Sequence, residues 1–520
     1  MAQLDTQPVV IDLNQPVRVP FGAERRIPLV NMIVTRDGGR KQRGGFTRHM
    51  ASAISGTPVI RGLHDFIIGD TQDVVVSAGG KIWKEDSLDG TFDDITQSGL
   101  SWSSKELTSA IQMNDILGIW NKNGDAAQKY DQGAVTTDLG ATNATTAKFV
   151  TQYRGVGFAS GVSGAPDTLY HSSVGDIDAA FTAFVVGLKD GLGGITGIIG
   201  HPNPNLNLFF VFKSRGIYAI DMPLISDASG WIVKQLTGLE MKLGAFSHHT
   251  IKNVPVDGGP DIWFQGNDGS IYSLNRLVET EDAEMSNLTE PYQTSFDDIK
   301  KDRLSNAVAD VDTEGQQYCL FSSPSSVDVN DRMYTVSYRM MGPVGRNPRP
   351  KPECQIHDGF GAASVGRIQI SNRQRLVTGD YDGFLNRQFS NNIDDPGSTA
   401  ISPSLQLFNL DAGLPQIQKA WQKATIHLRP EADTDLNFAW VVDGGAEQTE
   451  LIDQLGSSVP LDTFLLDTDS LAEKNIVLVS HAPLRGENNG YHLSFTLGNT
   501  AAGQGMEVYR IIFQIKDSGS

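Results

Sequence analysis

"DVVVSAGGKIWKED", residues 73–86, holds the reading that decides the fold. Three valines lead into a Gly-Gly pair and an Ile-Trp pair leads out of it. Strand-forming residues on both sides of a turn that needs positive φ are a hairpin signal. The unit returns in degenerate form as "DILGIWNKNGDAAQKYD" (115–131), "GVGFASGVSGAPDTLYHSS" (155–173), "LFFVFKSRGIYAID" (208–221) and "DIWFQGNDGSIYSLN" (261–275). Two further copies are "QYCLFSSPSSVDVNDRMYTVSY" (317–338) and "RLVTGDYDGFLNRQFS" (375–390). Their starts lie roughly 40 to 60 residues apart, the period of a four-stranded propeller blade. The expectation is an all-β protein with a β-propeller of six or seven blades over residues 59–395.

The flanks lack that spacing. Residues 1–58 offer two short strands, "VVIDL" and "IPLVNMIVT", and read as an N-terminal arm packing outside the propeller. "NNIDDPGSTAISPS" (391–404) has turn formers and little apolar content, as a linker would. Beyond it, "QKATIHLRP", "LNFAWVVDGG", "KNIVLVSHAP", "YHLSFTLGN" and "MEVYRIIFQIK" are five strand candidates separated by turns. Residues 396–520 therefore read as an antiparallel β-sandwich, or a sheet completed by the N-terminal arm. Helical signal is confined to "SFDDIKKDRLSNAVADV" (295–311), whose second half can equally be strand.

Composition narrows the function classes. The 520 residues are 39 % hydrophobic and 20 % charged, which is ordinary for a globular chain. Lys and Arg number 42 against 61 Asp and Glu, a net charge of −19. A duplex-DNA binder works through released phosphate counterions and carries the opposite balance. Acidic walls would let DNA slide past, and the same charge also serves solubility. Cys319 and Cys354 are too few for a disulfide framework and lack zinc spacing. No secretory leader is expected from "MAQLDTQPVVIDLNQPVRVP", and no apolar run reaches the roughly 20 residues that span a bilayer.

Motifs that could carry chemistry are weak. "GLGGITG" (191–197) has the wrong glycine spacing for a dinucleotide loop and no βαβ unit around it. No G-x-S-x-G elbow occurs. His248 and His249 precede a strand; as strand neighbours they would face opposite ways, and they read as surface or hydrogen-bonded residues and not as metal ligands. The pairs His64–Asp65 and His357–Asp358 read as structural hydrogen bonds between blade strands. "GDYDGF" (379–384) and "NKNGD" (121–125) resemble pieces of calcium loops but lack the full ligand pattern, and tight turns favour the same residues. No catalytic residue, cofactor or metal is expected. Trp83, Trp120, Trp231 and Trp263 are read as core, with a sugar-binding surface as the alternative.

"RDGGRKQRGGFTRH" (36–49) is the exception in an acidic chain. No helix follows to supply a phosphate site. The expectation is a basic loop in which Arg36, Arg40, Lys41, Arg43 and Arg48 contact an acidic surface, such as a neighbouring copy of this chain.

Several of these stretches, in order, are similar to one family. "PLVNMIVT…GGRKQRGGFTRH", then "VIRGLHDF" and "VVVSAGGKIWK", resembles the start of the DNA-stabilisation proteins of short-tailed phages, the tail hub or nozzle subunits. "TLYHSSVGDIDAAF" with "GGITGIIG", "LFFVFKSRGIYAI", "LGAFSHHTIKN" with "DIWFQGNDGSIY", and "VTGDYDGF" follow in family order over most of residues 28–390, with a looser match beyond. The chain departs from the pattern in carrying "RGGF" where a proline-glycine is common. The resemblance implies a non-enzymatic virion protein, made in the host cytoplasm. It would form a ring, usually of six copies, below the portal and adaptor, retain packaged DNA, and conduct it at ejection. The rival readings are a receptor- or glycan-binding tail propeller and a propeller enzyme.

Overall fold

Those hairpins become small antiparallel sheets in the computed structural model. It describes residues 7–517 except 13–16, 19–23, 26–28, 35–39, 87, 238–241, 257–258, 281–285, 339–351, 391–393, 397–398, 411–416, 430–434, 453–477, 485–488 and 500–504. The chain divides into two units: Met1–Thr47, Gln355–Asp358 and Phe389–Ser520 form one, and Arg48–Cys354 with Gly359–Gln388 the other.

The second unit is a β-propeller with seven blades among the described residues. Blade 1 runs outward from the axis as Ile60–Ile68, Thr71–Ala78, Lys81–Asp86 and Asp93–Asp94. Blades 2 to 4, within 108–138, 149–185 and 195–235, repeat the four-stranded pattern. Blade 5 has strands Lys252–Val254, Asp261–Gln265 and Ile271–Ser273, then the short helix Leu274–Thr280. Its outer position is filled by a bridge from Tyr272 to Asn287. Blade 6 holds Val308–Asp312, Gln317–Ser322 and Arg332–Ser337; blade 7 holds Ala362–Ile370, Arg373–Asp380 and Leu385–Arg387.

The continuous "VVV" has a physical reason. A blade is buried on both faces, so its strands need apolar residues at successive positions. Val74 and Val76 pack with Ile60, Leu63, Ile368 and Val377, while Val75 points the other way into Phe66, Ile82, Ile119 and Tyr130. "LFFVF" behaves alike: Phe209 and Val211 enter one core, Phe210 and Phe212 the next. Gly79 and Gly80 turn the opening hairpin with φ of 65° and 79°, which a side chain would resist.

The circle closes through residues that sequence placed elsewhere. The backbone N–H of His49 donates to Leu385 O (2.8 Å) and that of Ile54 to Gly383 O (3.0 Å). Residues 48–58 thus complete blade 7, and the arm ends at Thr47 instead of residue 58. The buried ring of His49 locks the joint. Its Nε2 lies 2.7 Å from Glu85 Oε2, and Arg387 donates to its Nδ1 from Nε (2.9 Å) and Nη2 (2.6 Å). A guanidinium only donates, so Nδ1 accepts and Nε2 carries the proton given to Glu85.

The first unit is a β-sandwich. One sheet orders Leu478–Pro483, Lys419–Arg429, Glu507–Asp517, Arg40–Gln42 and Met32–Val34, with Gln7–Asp12 also paired to Glu507–Asp517. Facing it are Leu29–Val30, Ser404–Leu410, Leu493–Gly498, Leu436–Val442 and Gln448–Ile452. Leu405, Trp421, Phe438, Phe495 and Phe513 fill the space between. The N-terminal strands are members of both sheets, so the arm is part of this unit. The expected linker is also partly anchored: Asp395 receives Arg43 Nη1 at 2.9 Å, Nη2 at 2.7 Å and the Phe46 N–H at 3.2 Å. Of the helical stretch, Gln293–Asp297 and a 3-10 turn at Lys301–Asn306 form, and Val308–Asp312 is strand.

Candidate functional site

The axial channel of the propeller is a cavity of about 610 Å³, walled by residues from the inner side of all seven blades. Three inner strands carry a register shift near their start, at Ile60/Gly62, Ile195/Gly197 and Ala362/Ser364. A bulge re-aims the residue it inserts, and in blade 1 that residue is Arg61. A Cβ on Gly62 would lie 1.8 Å from Thr108 Oγ1, so glycine is required for blades 1 and 2 to approach.

His248 and His249 both line this channel, and of the two alternatives, surface or hydrogen-bonded, the second holds for His248. They occupy a 3-10 turn, His248–Thr250, and the strand begins only at Lys252. His248 Nε2 donates to Val150 O (3.1 Å) and its Nδ1 accepts the Ile198 N–H (3.4 Å), tying blade 5 to blades 3 and 4. Burial, and then the nearby Lys252 ammonium, hold His64 and His248 down to about 4. Burial with His248, Lys122 and Lys252 pushes His249 well below the ordinary range. All three rings are neutral at neutral pH.

Asp65 Oδ2 accepts the Gln369 N–H (2.9 Å) and Oδ1 accepts Gln72 Nε2 (2.7 Å), linking blade 1 to blade 7. Asp310 Oδ1 accepts the Val311 N–H (2.8 Å) and lies 3.2 Å from Arg367 Nε. Both channel carboxylates are therefore committed to the scaffold. His357–Asp358 is not a blade pair: it belongs to the sandwich unit, where the Asp358 N–H donates to Asn31 Oδ1 (3.1 Å).

No group of three or more His, Cys, Asp or Glu among the described residues is arranged to hold a metal. The calcium-like stretches are turns. Asp380 Oδ1 accepts the N–H groups of Asp382 and Phe384, and Asn121 Oδ1 that of Asn123. The four tryptophans are interior, and each indole N–H is spoken for: Trp83 by Ala78 O, Trp120 by Ala144 O, Trp231 by Leu224 O and Trp263 by Asp261. They form no exposed sugar platform.

The basic segment is corrected most. Arg36 lies outside the described residues. Arg40 and Arg43 are each 2 % exposed, Lys41 is half-buried and Arg48 is exposed. Arg43 spends its guanidinium inside the sandwich on Asp395, Asn31 Oδ1 (3.2 Å) and the carbonyls of Gly44 and Asp358. The Arg48 guanidinium sits 3.9 Å from the ring centre of Phe384. A shared docking loop is thus not what Arg40 and Arg43 build.

Sequence reading passed over Lys213, whose signal was a lysine ending the apolar run "LFFVF". It is fully buried and donates to Asp167 Oδ1 (2.7 Å), Asp190 Oδ2 (2.7 Å) and Gly187 O (2.8 Å).

No protein-family model and no curated protein matches the chain. Among solved structures it is similar to extracellular domains from B. thetaiotaomicron described as a one-component and a hybrid two-component system. These are 10 % and 11 % identical, cover 66 % and 79 % of this chain, and have TM-scores of 0.38 and 0.43. The chain spans 39 % and 47 % of their lengths. An exo-β-1,3-galactanase from Phanerochaete chrysosporium is 10 % identical over 91 % of this chain and 100 % of that one, at TM-score 0.28. At TM-scores below 0.5 these likenesses bear on neither activity nor substrate.

Proposed function

We propose that the chain is a non-enzymatic structural subunit of a short-tailed phage tail, a hub or nozzle protein. It assembles in the host cytoplasm with its own copies, in a ring of about six by the family resemblance, below a portal and adaptor. There it lengthens the DNA channel, retains packaged genome and conducts it at ejection.

One observation carries the reading: two of the stretches that resemble that family, at the N-terminal end of the match, bond to the same part of the first unit. Asn31 of "PLVNM" and Arg43 of "RKQRGG" meet at Asp358 and Asp395. A Cβ on Gly44 would lie 2.0 Å from Ser390 O, and one on Gly45 would lie 2.1 Å from Asp394 O. The net charge of −19 suits a wall that must not grip DNA. No described helix is long and apolar enough to cross a membrane.

Native mass spectrometry with negative-stain imaging tests this. A closed ring whose pore exceeds the roughly 20 Å of a duplex is the expected result, either alone or on adding portal and adaptor. A monomer that ignores those partners and cleaves or retains a glycan would overturn it in favour of a rival reading.

A further inference from the structure

We propose that His49 is an acid-released clasp: a second proton on its ring detaches residues 48–58 from blade 7 and parts the seam of the propeller. The strap meets blade 7 through the N–H groups of His49 and Ile54, given to Leu385 O (2.8 Å) and Gly383 O (3.0 Å). Met50 Sδ accepts the Leu385 N–H (3.4 Å). Neither the His49 ring nor the Glu85 side chain has exposed surface; Arg387, on the far side of the ring, is half-buried. The neutral ring suits both neighbours. Its Nε2 gives a proton to Glu85 Oε2 (2.7 Å), and the Nδ1 lone pair takes Arg387 Nε (2.9 Å) and Nη2 (2.6 Å).

A proton added at Nδ1 reverses one of these contacts. Both ring nitrogens of an imidazolium are donors, so a third N–H would face the two from Arg387, and a buried donor stripped of its acceptor is costly, more so when charged. Histidine is the side chain whose charge ordinarily changes between pH 5 and 8. The charged groups around the ring set the direction of release. Glu85 attracts the protonated ring and is itself held in blade 1, where its Oε1 accepts the Gly90 N–H. Arg387 repels the ring; Arg375 acts on Arg387 from the adjacent strand and is paired with Glu314. Arg48, the preceding residue, is turned onto Phe384. The charged ring therefore stays with Glu85 of blade 1 and loses its hold on blade 7.

The test is hydrogen exchange of the full chain at pH 7.5 and 5.5, read as protection factors at position 49 and Ile54. A ring that takes its second proton at the ordinary value of about 6.5 once open, and none while closed, loses up to about tenfold in protection between those two conditions. His49→Gln copies the neutral ring, with an amide N–H for Glu85 and an oxygen for Arg387, and cannot take the proton. Its protection should be the same at both pH values. Arg387→Met removes the opposing donors, so acid should no longer lower protection at Ile54. Equal protection in the parent at pH 7.5 and 5.5 would overturn the proposal. So would a fall in His49→Gln as large as the parent's, which would place the pH response in the channel histidines. Should His49→Gln fail to fold, Arg387→Met decides: a tenfold fall that persists without the guanidinium refutes the clasp.

Discussion

Replacing Lys213 by methionine is the sharpest probe of how the propeller tolerates charge in its interior. The ammonium is fully buried and its three N–H groups are all used, on Asp167, Asp190 and Gly187 O. The two carboxylates are only 12 % and 16 % exposed. Burial pushes the Asp190 carboxyl up, yet hydrogen bonds from Lys213, the Tyr218 hydroxyl (2.6 Å) and the Leu192 N–H hold it below its ordinary value. Methionine fills much of the lysine stem's volume, so the loss is electrostatic. Removing one partner of a buried ion pair costs about 3–5 kcal/mol, because the remaining charge is left uncompensated in the interior. With two carboxylates left facing each other, about 4 kcal/mol is expected at pH 7.

A chain of two units does not unfold as one step, so a single melting point is a poor readout. Hydrogen exchange of the amides in Leu208–Lys213 and Gly216–Asp221 is local. At about 1.4 kcal/mol per decade, those amides should exchange up to about a thousandfold faster in Lys213→Met where opening of this blade governs exchange. The penalty should shrink as pH falls toward 5, since a bare carboxylate in that site takes a proton. Adding Asp167→Asn and Asp190→Asn to Lys213→Met should restore most of the protection. Exchange within about fivefold of the parent at pH 7, and the same at pH 5, would refute the reasoning.

His49→Ala leaves the fully buried Glu85 without its ring donor and Arg387 without its acceptor. Faster exchange at position 49 and Ile54, with protease cleavage opening within 48–58, should report the loss, at a cost of about 1–3 kcal/mol for each group left without its partner. His64 and His248 predict a pH dependence. Both titrate near 4 in the folded chain against 6.5 for the free ring, so the unfolded state binds more protons between those values. Stability should therefore fall as pH drops from 6.5 to 4, by at most about 3 kcal/mol per ring, and be flat above. Urea titrations of the propeller transition at pH 4.5 and 7.5 check the sign.

The repeat was legible because a blade is a local object: its strands are joined by turns of a few residues, and "VVVSAGGKIW" states both the turn and the two buried faces. Closure was not legible. It joins His49 to Leu385 and Arg387, and nothing near either end announces the other. His248 and His249 precede their strand as read, in a 3-10 turn where the alternation rule does not apply.

The basic segment shows the same limit from the opposite side. Five cations in fourteen residues look like a surface meant for another molecule, and an acidic chain makes that inference stronger. Yet charge density in sequence says nothing about where a carboxylate will be after folding. Asp395 lies 352 residues from Arg43 and supplies both oxygens to its guanidinium. Gly44 and Gly45, read as part of a loop, are where the backbone passes too close to Ser390 and Asp394 for any Cβ. Arg43, Gly44 and Gly45 pass close to residues 389–395 of their own unit, where a planar cation can satisfy several acceptors at once and a side chain would collide. Arg48, which is exposed, lies against Phe384 of the propeller to which both belong.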